Sequence, residues 1–206
     1  MRSPSARKPK RKPRASSRLK VMTRGNRTDL VFSFSLIALV VVVFLLEVTL
    51  LPQIGALGLI PRTLWGLVGI LTMPFLHANA GHLLANLGAL PFLLAFLFAF
   101  HPQRMANVVV RVVLVGGALL WLFGQTGNHV GASGLIYGLA AFVIVSGIVQ
   151  KRFLPVVGAI GVAILYGSSL FWGLVPSDPR VSWDGHLAGG VAGVLVAVAR
   201  KRTRRK

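Results

Sequence analysis

Few side chains in this sequence can perform acid–base or nucleophilic chemistry, and the informative ones fall in three short segments. His82 and Asn86 stand at i and i+4 in GHLLAN, and Ser133 and Tyr137 stand at i and i+4 in SGLIY. His186 is followed at i+3 and i+7 by Gly189 and Gly193. On a helix each of these spacings keeps its residues on one face. A serine hydroxyl becomes a useful nucleophile when a base takes its proton, so a serine within hydrogen-bond reach of a histidine is a minimal acyl-transfer pair. The stretch Gly131-Ala132-Ser133-Gly134 suits that chemistry, because glycines allow a tight start to a helix and leave room for a carbonyl. Backbone N–H groups at a helix start lack intrahelical partners and can receive a developing oxyanion. His82 and Asn86 would add side-chain donors to the same cavity. Asp184 lies two residues before His186 and projects from another face, so any pair formed here works without a carboxylate. His-Glu-x-x-His is absent and no two aspartates lie within apolar runs, which disfavours zinc and aspartyl peptidase chemistry.

The elements that must hold these residues are set by composition. Of 206 residues 54% are hydrophobic and 13% charged, about half the charged share of a soluble domain. Residues 1–28 carry eleven Lys and Arg and residues 200–206 carry six, leaving six basic and four acidic residues between. So little charge cannot cover a water-facing surface, and the solvent of the middle segment is lipid. Apolar runs separated by breakers predict six transmembrane helices, at Val31–Leu50, Gly81–Phe100, Asn107–Phe123, Ser133–Val149, Leu154–Leu174 and Trp183–Ala199. The interval Leu51–His77 is apolar but broken by Pro52, Pro61, Pro74 and several glycines, and reads as a partly embedded loop with short helices. The expected class is an all-α polytopic membrane bundle over 29–199, flanked by a disordered basic tail at 1–28 and a basic tail at 200–206.

Loop charge orients the bundle. Arg104, Lys151 and Arg152 fall on the side of the two basic termini, whereas the opposite loops carry Arg62, then no charge over 124–132, then Asp178, Arg180 and Asp184. By the positive-inside rule the termini are cytoplasmic in a cell membrane. In that topology His82, Ser133 and His186 all open their spans from the outer face and share a depth. Gly134 and Gly138 on the fourth span match Gly189 and Gly193 on the sixth, and small-residue stripes let helix backbones approach closely. Such packing would bring Ser133 Oγ within reach of His186. His101 and His129 read as unassigned surface histidines, and Glu47 as an interfacial residue near the outer end of the first span.

GASG with Leu135-Ile136-Tyr137-Gly138, His77-x4-His82-x3-Asn86 and His186-x2-Gly189-x3-Gly193 together resemble the rhomboid family of intramembrane serine proteases, in its six-helix, bacterial-like form. The resemblance spans about Pro61 to Gly193. It implies Ser133 as nucleophile and His186 as base, with the Ser133 N–H, His82 and Asn86 as oxyanion donors. It further implies Tyr137 stacked beside His186, Gly131 supporting the serine turn, and His77 as structural. The implied substrates are single-span membrane proteins cut near the outer boundary, without a cofactor or metal. The Trp-Arg pair of many relatives is missing: Val68 and Gly69 occupy its place, with Trp65 and Arg62 nearby.

Other classes fit less well. The charge of +19 sits in tails beside apolar spans, which suits anionic lipid head groups and disfavours nucleic acid. A transporter would be expected to show ionisable residues near the midplane or repeated halves, and neither is visible. The alternative that remains is a catalytically inactive rhomboid-like protein that binds membrane proteins. The absence of cysteine removes any disulfide framework.

Overall fold

The computed structural model describes residues 15–101, 104–150, 153–176 and 181–204. Seven α-helices follow in order: α1 (Ala15–Thr49), α2 (Gly66–Thr72), α3 (Ala80–Phe100), α4 (Met105–Phe123), α5 (Ser133–Gln150), α6 (Phe153–Trp172) and α7 (Trp183–Arg204). No strand occurs among the described residues; the one extended pairing is an isolated antiparallel bridge between Leu59 and His129. The fold is a helical membrane bundle. Arg27–Thr49, Ala80–Phe100 and Met105–Phe123 are long and apolar enough to cross a bilayer, and Ser133–Val149 and Trp183–Ala199 are shorter apolar segments.

Helix boundaries follow local chemistry. Asn79 caps α3 by accepting the His82 N–H at 2.9 Å, as short amide and hydroxyl side chains do at helix starts. Prolines open the 3-10 turns at Pro52–Leu57 and Met73–Phe75, so the broken interval before α3 folds as α2 between two tight turns. Two basic segments expected to be tails are partly helical: α1 begins at Ala15 and α7 continues to Arg204. Residues 1–14 lie outside the described part. Helices satisfy their own backbone hydrogen bonds, so the bundle can present large apolar side chains such as Phe34, 70% exposed, and Ile164, 76% exposed, to lipid.

The largest core cluster joins α3, α4 and α5 through Leu90, Leu93, Leu97, Val112, Leu139 and Phe142. His101 belongs to this interior. It is not a surface residue: it is buried, its Nε2 is 3.3 Å from Ser146 Oγ, and its ring meets Phe142 edge-on. The apolar ends of α3 and α5 close over it and leave Ser146 as a polar partner. Above that core the most extensive helix pairing is α5 with α7, followed by α4 with α7.

Candidate active site

The contact between α5 and α7 is made by backbone. A Cβ added to Gly189 would fall on the Gly134 carbonyl, and one added to Gly193 would fall on the Gly138 carbonyl. Leucine or valine at either position would push the helices apart, so the two glycine stripes fix how near the axes come. At one end of this seam Ser133 begins α5 and His186 lies in the first turn of α7. Their side chains meet, with Ser133 Oγ 2.8 Å from His186 Nε2.

The other ring nitrogen settles the proton inventory. His186 Nδ1 is 2.7 Å from the backbone carbonyl of Gly173, just beyond α6. A carbonyl oxygen can only accept, so Nδ1 carries the proton of the neutral imidazole, and Nε2 is the acceptor facing the serine hydroxyl. Tyr137 lies flat on the imidazole, with ring centroids 4.2 Å apart and planes 6° from parallel. Ring orientation is therefore held by a carbonyl and an aromatic face. Asp184 points elsewhere, into contacts with Gln125, Ser182 and Gly185. The Gly173 carbonyl has no signature in a sequence, because a backbone acceptor can belong to any residue. A side chain at Gly173 would strike the Tyr137 hydroxyl and come within 3.0 Å of His186 Nδ1.

Gly131 precedes the serine turn with φ +115°, a conformation that disfavours residues bearing a Cβ. Its N–H donates to Met73 O at 2.9 Å. The His82 ring lies directly against it, since an added Cβ would stand 2.6 Å from His82 Nε2. His82 is thereby beside the segment that delivers Ser133. Asn86 is one helical turn further along α3, buried, with Nδ2 lacking a hydrogen-bond partner among the described residues. A buried amide donor in that state is costly unless something arrives to accept from it.

His77 stacks edge-on against His82 at 5.2 Å and is buried. Its Nδ1 is 3.3 Å from Phe75 O, and Glu47 accepts its backbone N–H at 3.3 Å. Glu47 thus reaches from α1 into the segment before α3. Burial, with the neighbouring His82 adding to it, lowers His77 to about 4, so it is neutral near pH 7. Arg62 takes φ +58° and donates from Nη1 to Gly124 O at 2.7 Å, and Trp121 Nε1 donates to Thr63 O at 2.8 Å. These two bonds tie the broken segment to the end of α4 without the adjacent Trp-Arg pair.

His129 is likewise not an isolated surface residue. Its Nδ1 is 2.7 Å from Ser182 Oγ and its Nε2 is 2.9 Å from Gln125 O. Asp184 Oδ2 is 3.9 Å from the same Nε2. The backbone of His129 pairs with Leu59 in both directions at 2.9 Å.

A bundle of apolar helices carrying a serine–imidazole pair on a glycine-lined seam defines a class of membrane protein with an embedded polar site. Residues 61–203 match the family pattern described as Rhomboid domain, and the chain belongs to the rhomboid family. Similar proteins from Mycobacterium bovis and Mycobacterium tuberculosis are each 35% identical over 193 residues, covering 88% of this chain and 78% of theirs. A protein from Mycobacterium leprae is 39% identical over 154 residues, covering 69% of this chain and 59% of its own length. All three carry the name uncharacterized protein.

Proposed function

We propose that this chain is an intramembrane serine endopeptidase that hydrolyses peptide bonds of single-span membrane proteins near the outer membrane boundary. Ser133 is the nucleophile and His186 its general base, acting as a dyad. The observation that carries this reading is the tautomer: Nδ1 committed to Gly173 O leaves Nε2 unprotonated, 2.8 Å from the serine hydroxyl. In the reaction His186 accepts the hydroxyl proton as Ser133 Oγ bonds to the scissile carbonyl carbon. The same nitrogen returns that proton to the leaving amine, and water then cleaves the acyl ester by the reverse sequence. The Ser133 N–H, His82 and the unpartnered Asn86 amide supply donors for the oxyanion, with Gly131 making room for His82. Tyr137 holds the imidazole plane.

In this reading six helices span a cell membrane, both termini are cytoplasmic, and the basic tails lie against anionic lipid head groups. The membrane domain is 29–199, with the tails 1–28 and 200–206 outside it. The test is covalent labelling of the purified chain by a fluorophosphonate, alongside cleavage of a single-span reporter. Ser133→Ala should abolish both, and His186→Ala should slow both by at least about a thousandfold. Cleavage surviving in Ser133→Ala would sink the reading.

A further inference from the structure

The glycine seam leaves one degree of freedom open. Interdigitated side chains stop packed helices from sliding, but two bare backbone stripes offer no knobs to resist axial slip. The stripes set the gap between α5 and α7, while α7 side chains such as Val196 and Ala197 pack into the core cluster further along the helix. Yet a serine and an imidazole 2.8 Å apart lose contact if α7 slides by a fraction of its 5.4 Å pitch. That packing lies about three turns from His186, so the end of the seam that carries the pair is held most directly by contacts close to Ser133 and His186.

The residues around His129 are placed to do this. They join the two segments that deliver the dyad, at the point where each begins its helix. On one side is the loop 125–132, which leads directly into Ser133. On the other is Ser182-Trp183-Asp184-Gly185, which leads directly into His186. Asp184 Oδ2 accepts the Gln125 N–H at 2.7 Å, and Asp184 Oδ1 accepts from Gly185 N and from Ser182 Oγ, both at 3.0 Å. Ser182 Oγ also accepts from Gly185 N at 3.2 Å and lies 2.7 Å from His129 Nδ1. Because Gln125 O can only accept, His129 Nε2 carries a proton and donates to it at 2.9 Å. Ser182 Oγ donates to Asp184 Oδ1 and lies against His129 Nδ1, so the one hydroxyl is shared across the joint. The His129 backbone is in turn pinned to Leu59 by paired bonds, which anchors the loop to the segment before α2.

We propose that Asp184, Ser182 and His129 are positioning residues that lock α7 in register with the Ser133 loop. None hydrogen-bonds the side chain of Ser133 or His186; Ser182 meets His186 only through the main chain, its carbonyl accepting the His186 N–H at 3.0 Å. They act through the main chain that carries those residues, and the proposal rests on the dyad reading above.

The experiment uses the full-length chain in phosphatidylcholine–phosphatidylglycerol vesicles and a fluorophosphonate probe. The maximal labelling rate per labelled site (kinact) is separated from the probe concentration giving half that rate (KI). Asp184→Asn and Ser182→Ala should each lower kinact about tenfold or more, with KI changed by less than about twofold. Ser182→Thr, which keeps the hydroxyl, should restore kinact to near the starting value. A contribution to folding alone would reduce the number of labelled sites and leave kinact per site unchanged; that result in both variants overturns the proposal. Failure of Ser182→Thr to rescue likewise removes the shared-hydroxyl role. Should Asp184→Asn fail to fold, Ser182→Ala decides alone. Labelling that persists in Ser133→Ala would instead overturn the dyad reading and the register lock with it.

Discussion

Gly189 and Gly190 are adjacent glycines on α7, and replacing each by alanine separates the geometry of the dyad from the stability of its helix. At Gly189 a Cβ would overlap the Gly134 carbonyl oxygen and stand 2.7 Å from its carbon, where ordinary contact begins at 3.4 Å. Backbone cannot rotate out of the way as a side chain can, so α5 and α7 must part by more than the roughly 0.7 Å that the carbon alone requires, the oxygen being the nearer atom. The Ser133–His186 bond sits one residue before Gly134 on the same seam, at 2.8 Å. The same displacement stretches it to at least about 3.5 Å, the outer limit of a hydrogen bond. Misplacement of reacting groups by about 1 Å costs on the order of a hundredfold, so Gly189→Ala should lower kcat by about 10- to 100-fold. At Gly190 an added Cβ meets nothing within 4 Å. Gly190→Ala should therefore leave kcat within about twofold and stabilise the helix by roughly 0.5–1 kcal/mol. The assay is cleavage of a single-span reporter by reconstituted protein, normalised to fluorophosphonate-labelled sites, with thermal unfolding measured in parallel. Full activity in Gly189→Ala, or equal losses in both variants, would refute the claim that the seam sets the dyad distance.

Two further outcomes follow from the same site. Gly173→Ala should lower kcat at least tenfold by about the same geometric rule, because its methyl group would press on the Tyr137 hydroxyl and approach His186 Nδ1 to 3.0 Å; an unchanged rate would show that the Gly173 carbonyl does not orient the ring. His77 should contribute to acid sensitivity. Its value falls from 6.5 to about 4 on folding, so between those limits the unfolded chain binds the extra proton and stability drops as pH falls. The loss, of order 3 kcal/mol, should be complete near pH 4 and absent above 6.5. Unfolding midpoints across that range should flatten in His77→Gln, and an unaltered slope would assign the acid sensitivity to other groups.

The parts of the fold that sequence reading reached are those carried by periodicity. Apolar runs gave helices at or near the expected positions, and the stripes at Gly134, Gly138, Gly189 and Gly193 gave the α5–α7 contact. That works because a repeat of small residues is at once a pattern in the chain and a groove in space. The isolated polar residues were harder. His129 was expected to be an unassigned surface residue, yet it bonds to Ser182, distant in the chain, through a loop whose path no local signal describes. His101 follows a span end and reads as a boundary residue, but the core closes over it with Ser146 as partner. The Gly173 carbonyl was invisible because any residue possesses one. Asp184 projects from a different face than His186, and that angle is what turns it toward Gln125. Helix starting at Ala15 was missed because Arg and Lys suit a helix as well as they suit an irregular tail.

The seam between α5 and α7 makes the main chain itself the gauge that spaces Ser133 Oγ from His186 Nε2. No rotamer at the contact can relax, so a change in the spacing requires a change at the seam itself. Substitutions on the lipid-facing surfaces can then erode the folded fraction without altering the turnover of each molecule that remains folded. In a population of such variants, bulk activity would track the number of folded molecules, while the rate per folded molecule stays constant.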